Sequence, residues 1–350
     1  MACSLNVKMG ALALLGAGML VGCSALGITS KDSVAALDDF EKRLARYSED
    51  VLSRQPEVDE EGTVLVATIP CKQEDRIRLD AMFPISEARQ LQSETINAPF
   101  GLPLVDDPKE NEFFLYQDEY ILLYNSDLKL PVFATYRLRS DDIQSGDRLE
   151  CFRPDPRLKE DELSKTTDYH GSTDLDKGHL VPDADMQRSA DTVMNTYFMS
   201  NMMPQFGSVN SGSWLYLENA ARLWADELDE VLIVSGTIFD RDGDGIRDAD
   251  ADAERAPPSR RVAKPTAFYK IVMTFDENDT PRAIAFMLPH IQDSTAPNRN
   301  YVPTKLVSID EIEAISGFDF FSELSDDTEE AMEKFTEDDL WCRRECNGTL

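Results

Sequence analysis

The sequence predicts an α+β fold, and three observations carry that reading. Of 350 residues, 42% are apolar, enough for a packed core. The strand-like segments come in runs and do not alternate regularly with helices, so no βαβ series forms. One segment has clear helical periodicity over several turns. Taken in order, residues 33–55 place apolar side chains at helical spacing. Residues 120–125 (YILLYN) and 130–138 (LPVFATYRL) are β-branched and aromatic strands, split by a turn at 126–129. Residues 211–229 form the clearest helix, with Leu215, Leu217, Ala221, Leu223, Trp224 and Leu228 roughly along one side and acids near both ends. Residues 231–239, 267–275 and 282–290 read as more deeply buried strands. From 310 to 339 thirteen acids meet one lysine; 308–324 has enough Ile and Phe to pack, whereas 325–339 reads as a solvated tail.

The N-terminus reads as separate from the fold. Residues 1–27 carry one positive charge, Lys8, and then an apolar run too short to span a bilayer comfortably, the pattern of a secretory signal. The run ends Leu20-Val21-Gly22-Cys23, which resembles the lipobox of bacterial lipoproteins. That implies loss of residues 1–22 and a lipid anchor on Cys23. Ser24 follows and not Asp, which favours an outer membrane, or otherwise the cell surface or periplasm. The 33–55 helix would then stand off the membrane within a polar segment spanning 23–97. Cys71, Cys151, Cys342 and Cys346 remain, an even number for an oxidising compartment. Three pairings are open, as are free thiols; a Cys342–Cys346 bridge would close a tiny loop and leave Cys71 with Cys151. The formal net charge is −31. Such a surface repels nucleic acid at long range and, taken alone, argues against a polyanionic partner.

The chain has three histidines, and His179 sits in DLDKGHLVPDADM, residues 174–186. Gly178 before it allows a close backbone approach. Thirty-one residues later Asn210 precedes the 211–229 helix, and Glu218 lies inside that helix. A lone histidine is more often structural, Asn210 also suits a helix N-cap, and Glu218 could be an ordinary exposed acid. The ordered blocks DKGHL, MSNMMPQ and N-x-x-x-W-x-x-L-E resemble the DNA/RNA non-specific endonuclease family. So do GDRLECFRPDPRL, DYHGS, VSGTIF, PTAFYKIV and SIDEIEAISGFDFF, giving coverage of about residues 98 to 325.

The resemblance implies a ββα-metal (His-Me finger) fold with a central antiparallel sheet and flanking helices. It implies hydrolysis of phosphodiester bonds in both DNA and RNA, leaving 5′-phosphates. His179 would be the general base, suited by an imidazole pKa near ~6.5. Asn210 would be the direct ligand to Mg²⁺ or Mn²⁺, Glu218 would hold the ion's waters, and Asn201 would support the site by hydrogen bonding. Lys177 stands where the family has Arg; it keeps the charge and loses the planar fork that grips phosphate. Arg148 is assigned to a second family arginine, although Glu150 sits nearer the expected register. The family also admits a homodimer. His170 and His290 lie outside the motif and read as structural.

A second motif, DRDGDGIRDADAD, begins at Asp240 and resembles the start of a calcium loop, with Asp240, Asp242, Asp244 and Asp248 as candidate Ca²⁺ ligands. The bidentate twelfth position falls on Ala251, between Asp250 and Asp252. The loop opens an insertion over 240–264 whose end is basic, with Arg255, Arg260, Arg261 and Lys264 able to face nucleic acid. Beyond 325 lies the acidic tail, 326–350, with its cysteine pair. The alternative to a nuclease is an inactive, calcium-stabilised surface lipoprotein or binding module on the same fold. The acidic surface favours it, since phosphate contacts dominate affinity for nucleic acid. The intact His179, Asn210 and Glu218 favour the enzyme, with a saline habitat screening the charge.

Overall fold

The computed structural model describes residues 40, 42–46, 68–105, 109–144, 148–171, 174–276, 278–292 and 301–334. The signal, Cys23, Cys342 and Cys346 lie outside the described residues. The described chain begins with a helical segment at 40 and 42–46, then β1 (Thr68–Pro70), α1 (Gln73–Asp80), α2 (Glu87–Asn97) and β2 (Leu104–Val105). A meander follows of β3 (Glu112–Tyr116), β4 (Ile121–Asn125) and β5 (Leu130–Arg139), with its second turn at the expected 126–129. Next come β6 (Arg148–Glu150), β7 (Leu175–His179), α3 (Ala190–Asn195), β8 (Met202–Phe206) and α4 (Leu215–Leu228). The chain returns through β9 (Glu230–Ile238), β10 (Ala267–Phe275), β11 (Pro281–Pro289) and β12 (Leu306–Val307). It ends in α5 (Ile309–Ser316), β13 (Phe318–Asp319) and α6 (Asp326–Glu333).

The fold is α+β around a seven-stranded sheet of order β12-β11-β10-β9-β5-β4-β3, antiparallel at every step. Both faces are covered, which is why these strands read as nearly continuous apolar runs. Leu122, Tyr136, Ile233, Phe268 and Val272 pack against Trp214 and against Leu217, Ala221 and Trp224 of α4. The residues between them in sequence, such as Leu123, Phe133, Tyr269 and Ile271, meet Ile309 and Ile312 of α5, Phe318, Phe320 and Met332 of α6. Gly236 of β9 is required by this packing: a Cβ there would lie 2.3 Å from the Tyr269 ring.

Two segments differ from the reading of a polar linker and a solvated tail. Phe40 is stacked on Trp224 at 5.6 Å, Leu44 is buried, and Arg43 pairs with Glu227, so the 40–46 segment lies against α4 and does not stand away from the body. Residues 326–333 are helical, with Met332 in the core. In both, a few apolar side chains at helical spacing outweigh a charged composition. Cys71 and Cys151 form a disulfide, one of the three open pairings, across the parallel pair of β1 and β6.

Candidate active site

β7 and β8 form a two-stranded antiparallel unit in which Asp176 faces Gln205 and His179 faces Met202. The chain leaves β8, makes a π-helical turn over Val209–Trp214 with a kink at Gly212, and enters α4. Such turns recur where a side chain must be re-aimed. Gly178 has the close approach expected of it: a Cβ there would lie 1.8 Å from Gln205 Oε1.

His179 closes β7 and is 9% exposed, with Nε2 buried and without a hydrogen-bond partner. Its ring meets Tyr197 edge-on at 4.7 Å. Burial pushes the imidazole down to about 4, against the nearby charge of Asp183, with Arg148 and Lys177 adding to the fall. His179 is therefore neutral at neutral pH. Around it runs a short chain of contacts. Arg148 Nε donates to the Tyr197 hydroxyl at 3.2 Å, and that hydroxyl donates to Asp183 Oδ2 at 2.6 Å. Arg148 also pairs with Asp183 at 3.9 Å. Lys177 Nζ lies 4.6 Å from the centre of the Phe152 ring. The structure thus brings Arg148 and Lys177 to the histidine.

Asn201 is fully buried and spends its amide on the backbone that follows the histidine. Oδ1 accepts from Val181 N at 3.0 Å; Nδ2 donates to Val181 O at 2.9 Å and to Thr196 O at 2.8 Å. It ties the loop after His179 to the end of the α3 segment. Asn210 sits inside the π-helical turn, not at a helix cap. Its Nδ2 donates to Asp176 Oδ2 at 3.1 Å.

Glu218, in the first turn of α4, is buried and not the exposed acid it could have been. Burial pushes its carboxyl well up; the charges of Arg222 and Lys270 oppose this, and Asp185 and Asp183 add to it. Asp183 thus acts on both His179 and Glu218. Lys270 rises from β10 on the face covered by α4, fully buried, and donates to Ser235 Oγ at 2.7 Å. Burial holds its ammonium down while Glu218 and Asp185 favour the charge. Arg222 Nη1 donates to Asp185 Oδ1 at 2.6 Å, and Tyr136 OH donates to the other oxygen at 2.7 Å. Sequence reasoning missed Lys270, Asp183, Tyr197, Arg222 and Asp185. Lys270 did leave a signal, as the one charged residue within an apolar strand, where a cation is costly unless it has partners.

His290 is structural, as expected. Its Nε2 accepts from Phe206 N at 2.9 Å and Nδ1 donates to Pro265 O at 2.8 Å, so it clasps the end of β8. The acidic loop brings oxygens of Asp240, Asp242 and Asp244 within 4.8 Å of one another, a set able to hold a metal ion. Asp240 Oδ1 accepts from Gly243 N and Asp244 N. Asp248 stands outside the set and accepts from Arg241 N at 2.8 Å. Asp250 turns away to Lys109, Asn111 and Asn125, so it does not replace the missing twelfth ligand. A second acidic set is Asp310, Glu313 and Glu333; neither set contains a histidine. Of the basic residues ending the insertion, three are engaged within the protein: Arg255 with Asp127 O, Arg261 with Asp168, and Lys264 with Glu254.

Residues 106–327 match the sequence model of a family described as DNA/RNA non-specific endonuclease. A protein named Nuclease from Nostoc sp. is 26% identical over 231 residues, covering 64% of this chain and 78% of the relative. Nuclease C1 of Cunninghamella echinulata var. echinulata is 28% identical over 226 residues, covering 62% of this chain and 86% of the relative. The human protein named Ectonucleotide pyrophosphatase/phosphodiesterase family member 1 is 26% identical over 265 residues, 68% of this chain but 28% of that much longer protein.

Proposed function

Because this chain belongs to the DNA/RNA non-specific endonuclease family, we infer that it cleaves both DNA and RNA at a ββα-metal site with His179 as general base. It is a hydrolase of the non-specific endonuclease kind. The observation that carries the His179 assignment is its buried, unpartnered Nε2 on a neutral imidazole flanked by two cationic side chains.

The residues fit a Mg²⁺ or Mn²⁺ ion. Asn210 has its Nδ2 committed to Asp176, which leaves the amide oxygen as a hard ligand, and Glu218 brings a carboxyl that can hold the ion's waters. An ion held there would supply positive charge against the charge that develops on the phosphate oxygens and the leaving 3′ oxygen. The remaining work falls to the chain. Arg148 and Lys177 meet the diester, whose negative charge offsets the two cations that depress the imidazole. His179 becomes more basic as substrate arrives, and takes the proton of the water that attacks phosphorus. The P–O3′ bond breaks with its electron pair on the 3′ oxygen, which takes a proton from solvent and leaves as a 3′-hydroxyl, and a 5′-phosphate remains. Asn201 keeps the backbone after His179 in place.

Export with a lipid anchor at Cys23 belongs to the same reading. The Cys71–Cys151 disulfide supports an oxidising compartment, and among the described residues no helix is long and apolar enough to cross a membrane. Loss of fatty-acid labelling on Cys23→Ser tests the anchor. For the activity, supercoiled plasmid and single-stranded RNA are incubated with the purified protein, with Mg²⁺ or with EDTA, beside His179→Ala. Cleavage of both polymers that needs the metal and drops at least a thousandfold in the variant is expected. Cleavage that survives in His179→Ala removes His179 as the base.

A further inference from the structure

The second acidic set lies on the opposite face of the sheet from α4, where α6 meets α5. Asp310 and Glu313 come from α5 and Glu333 from the last turn of α6, with one oxygen of each within 4.8 Å of the others. Ile309, Ile312, Phe318, Phe320 and Met332 pack in the apolar cluster that these helices cover. Glu333 is only 6% exposed, and its Oε1 is buried with no hydrogen-bond partner. The charges that act on it come from Glu313, Glu329, Asp310 and Asp319, all carboxylates. The adjoining Lys334 is exposed and pairs with Glu330.

A buried acceptor surrounded by other acceptors is unfavourable unless a cation or a proton joins them. We propose that Asp310, Glu313 and Glu333 bind a Ca²⁺ ion that fastens α6 to α5. Ca²⁺ takes carboxylate oxygens in flexible geometry, which suits three carboxylates brought together from two helices. Mg²⁺ demands near-ideal octahedral coordination and keeps most of its waters.

The test measures Ca²⁺ equivalents bound by the purified full chain, by flow dialysis, and Tm in Ca²⁺ against EDTA. Wild type is compared with Glu313→Gln/Glu333→Gln and with Asp240→Asn/Asp242→Asn/Asp244→Asn. The first variant binds one Ca²⁺ fewer and loses a Ca²⁺-dependent rise in Tm that the second variant keeps. Asp310→Asn, at an exposed position, weakens the same equivalent at least tenfold and guards against misfolding of the double variant. Unchanged stoichiometry in both α5 and α6 variants overturns the site. So does a double variant more stable than wild type whose Tm, like that of wild type, ignores EDTA. In that case Glu313 and Glu333 share a proton.

Discussion

Asn201→Ala isolates the hold on the backbone that follows His179. The substitution removes one acceptor and two donated bonds from Val181 N, Val181 O and Thr196 O, in a side chain with no exposure. Each buried backbone group left unpaired costs about 1–3 kcal/mol, so the sum is on the order of 4 kcal/mol, with a small cavity adding to it. Asn201→Asp separates the two contributions. It keeps the volume and the acceptor for Val181 N but sets an oxygen against two carbonyls, so it destabilises by a similar amount. Urea unfolding followed by tryptophan fluorescence gives the free energies, with the slope expected unchanged. Below the unfolding range, kcat should fall while KM changes little, because the loop after His179 is displaced and the phosphate contacts remain. A loss under ~1 kcal/mol in both variants would show that water or relaxation replaces these bonds, and would refute the reasoning.

Further outcomes follow from other contacts. Burial holds His290 down to about 4, against ~6.5 in an unfolded chain. Its contribution to stability is full above pH 6.5 and is lost as pH falls towards 4, on the order of 3 kcal/mol. His290→Asn should therefore flatten the acid side of the stability profile, read by unfolding at several pH values; an unchanged slope would contradict the clasp. Gly178→Ala places a methyl 1.8 Å from Gln205 Oε1. It should destabilise by about 3 kcal/mol, and Gln205→Ala should restore most of that in a double-mutant cycle. Arg148→Ala removes one of the cations that lower the imidazole, so the acid limb of kcat/KM should move to higher pH while the maximum falls. A limb moving to lower pH would separate Arg148 from His179.

Much of this architecture is legible because sheet burial is two-sided. Residues 231–239, 267–275 and 282–290 read as buried strands since α4 covers one face and α5 with α6 the other. The 211–229 helix announces itself by its apolar side, whereas its π-helical entry does not. The kink at Gly212 answers to packing and to the Asn210–Asp176 bond, a contact between residues far apart in sequence. His179, Asn210 and Glu218 stand out because DKGHL and N-x-x-x-W-x-x-L-E resemble the blocks of the family. Their surroundings stay hidden: Lys270, Asp183, Tyr197 and Arg222 matter through partners brought near only by folding. The same blindness hid the contact of Asp248 and the packing of the tail. Alternating aspartates suggest a ring of ligands, but the backbone carries Asp248 to Arg241 N, and Met332 draws α6 onto the core.

The link between Cys71 and Cys151 has a consequence for the order in which the molecule is made. The ring it closes contains α1, α2 and the whole β3–β4–β5 meander, and it ends before β7 begins. Synthesis from the N-terminus delivers both sulfurs before any of His179, Asn210 or Glu218 exists. Once both sulfurs reach an oxidising compartment, the frame can close without the residues after 151, and lesions in those residues need not show in it. Thiol titration and nuclease assays on a nascent or damaged chain would then report two separate stages of maturation.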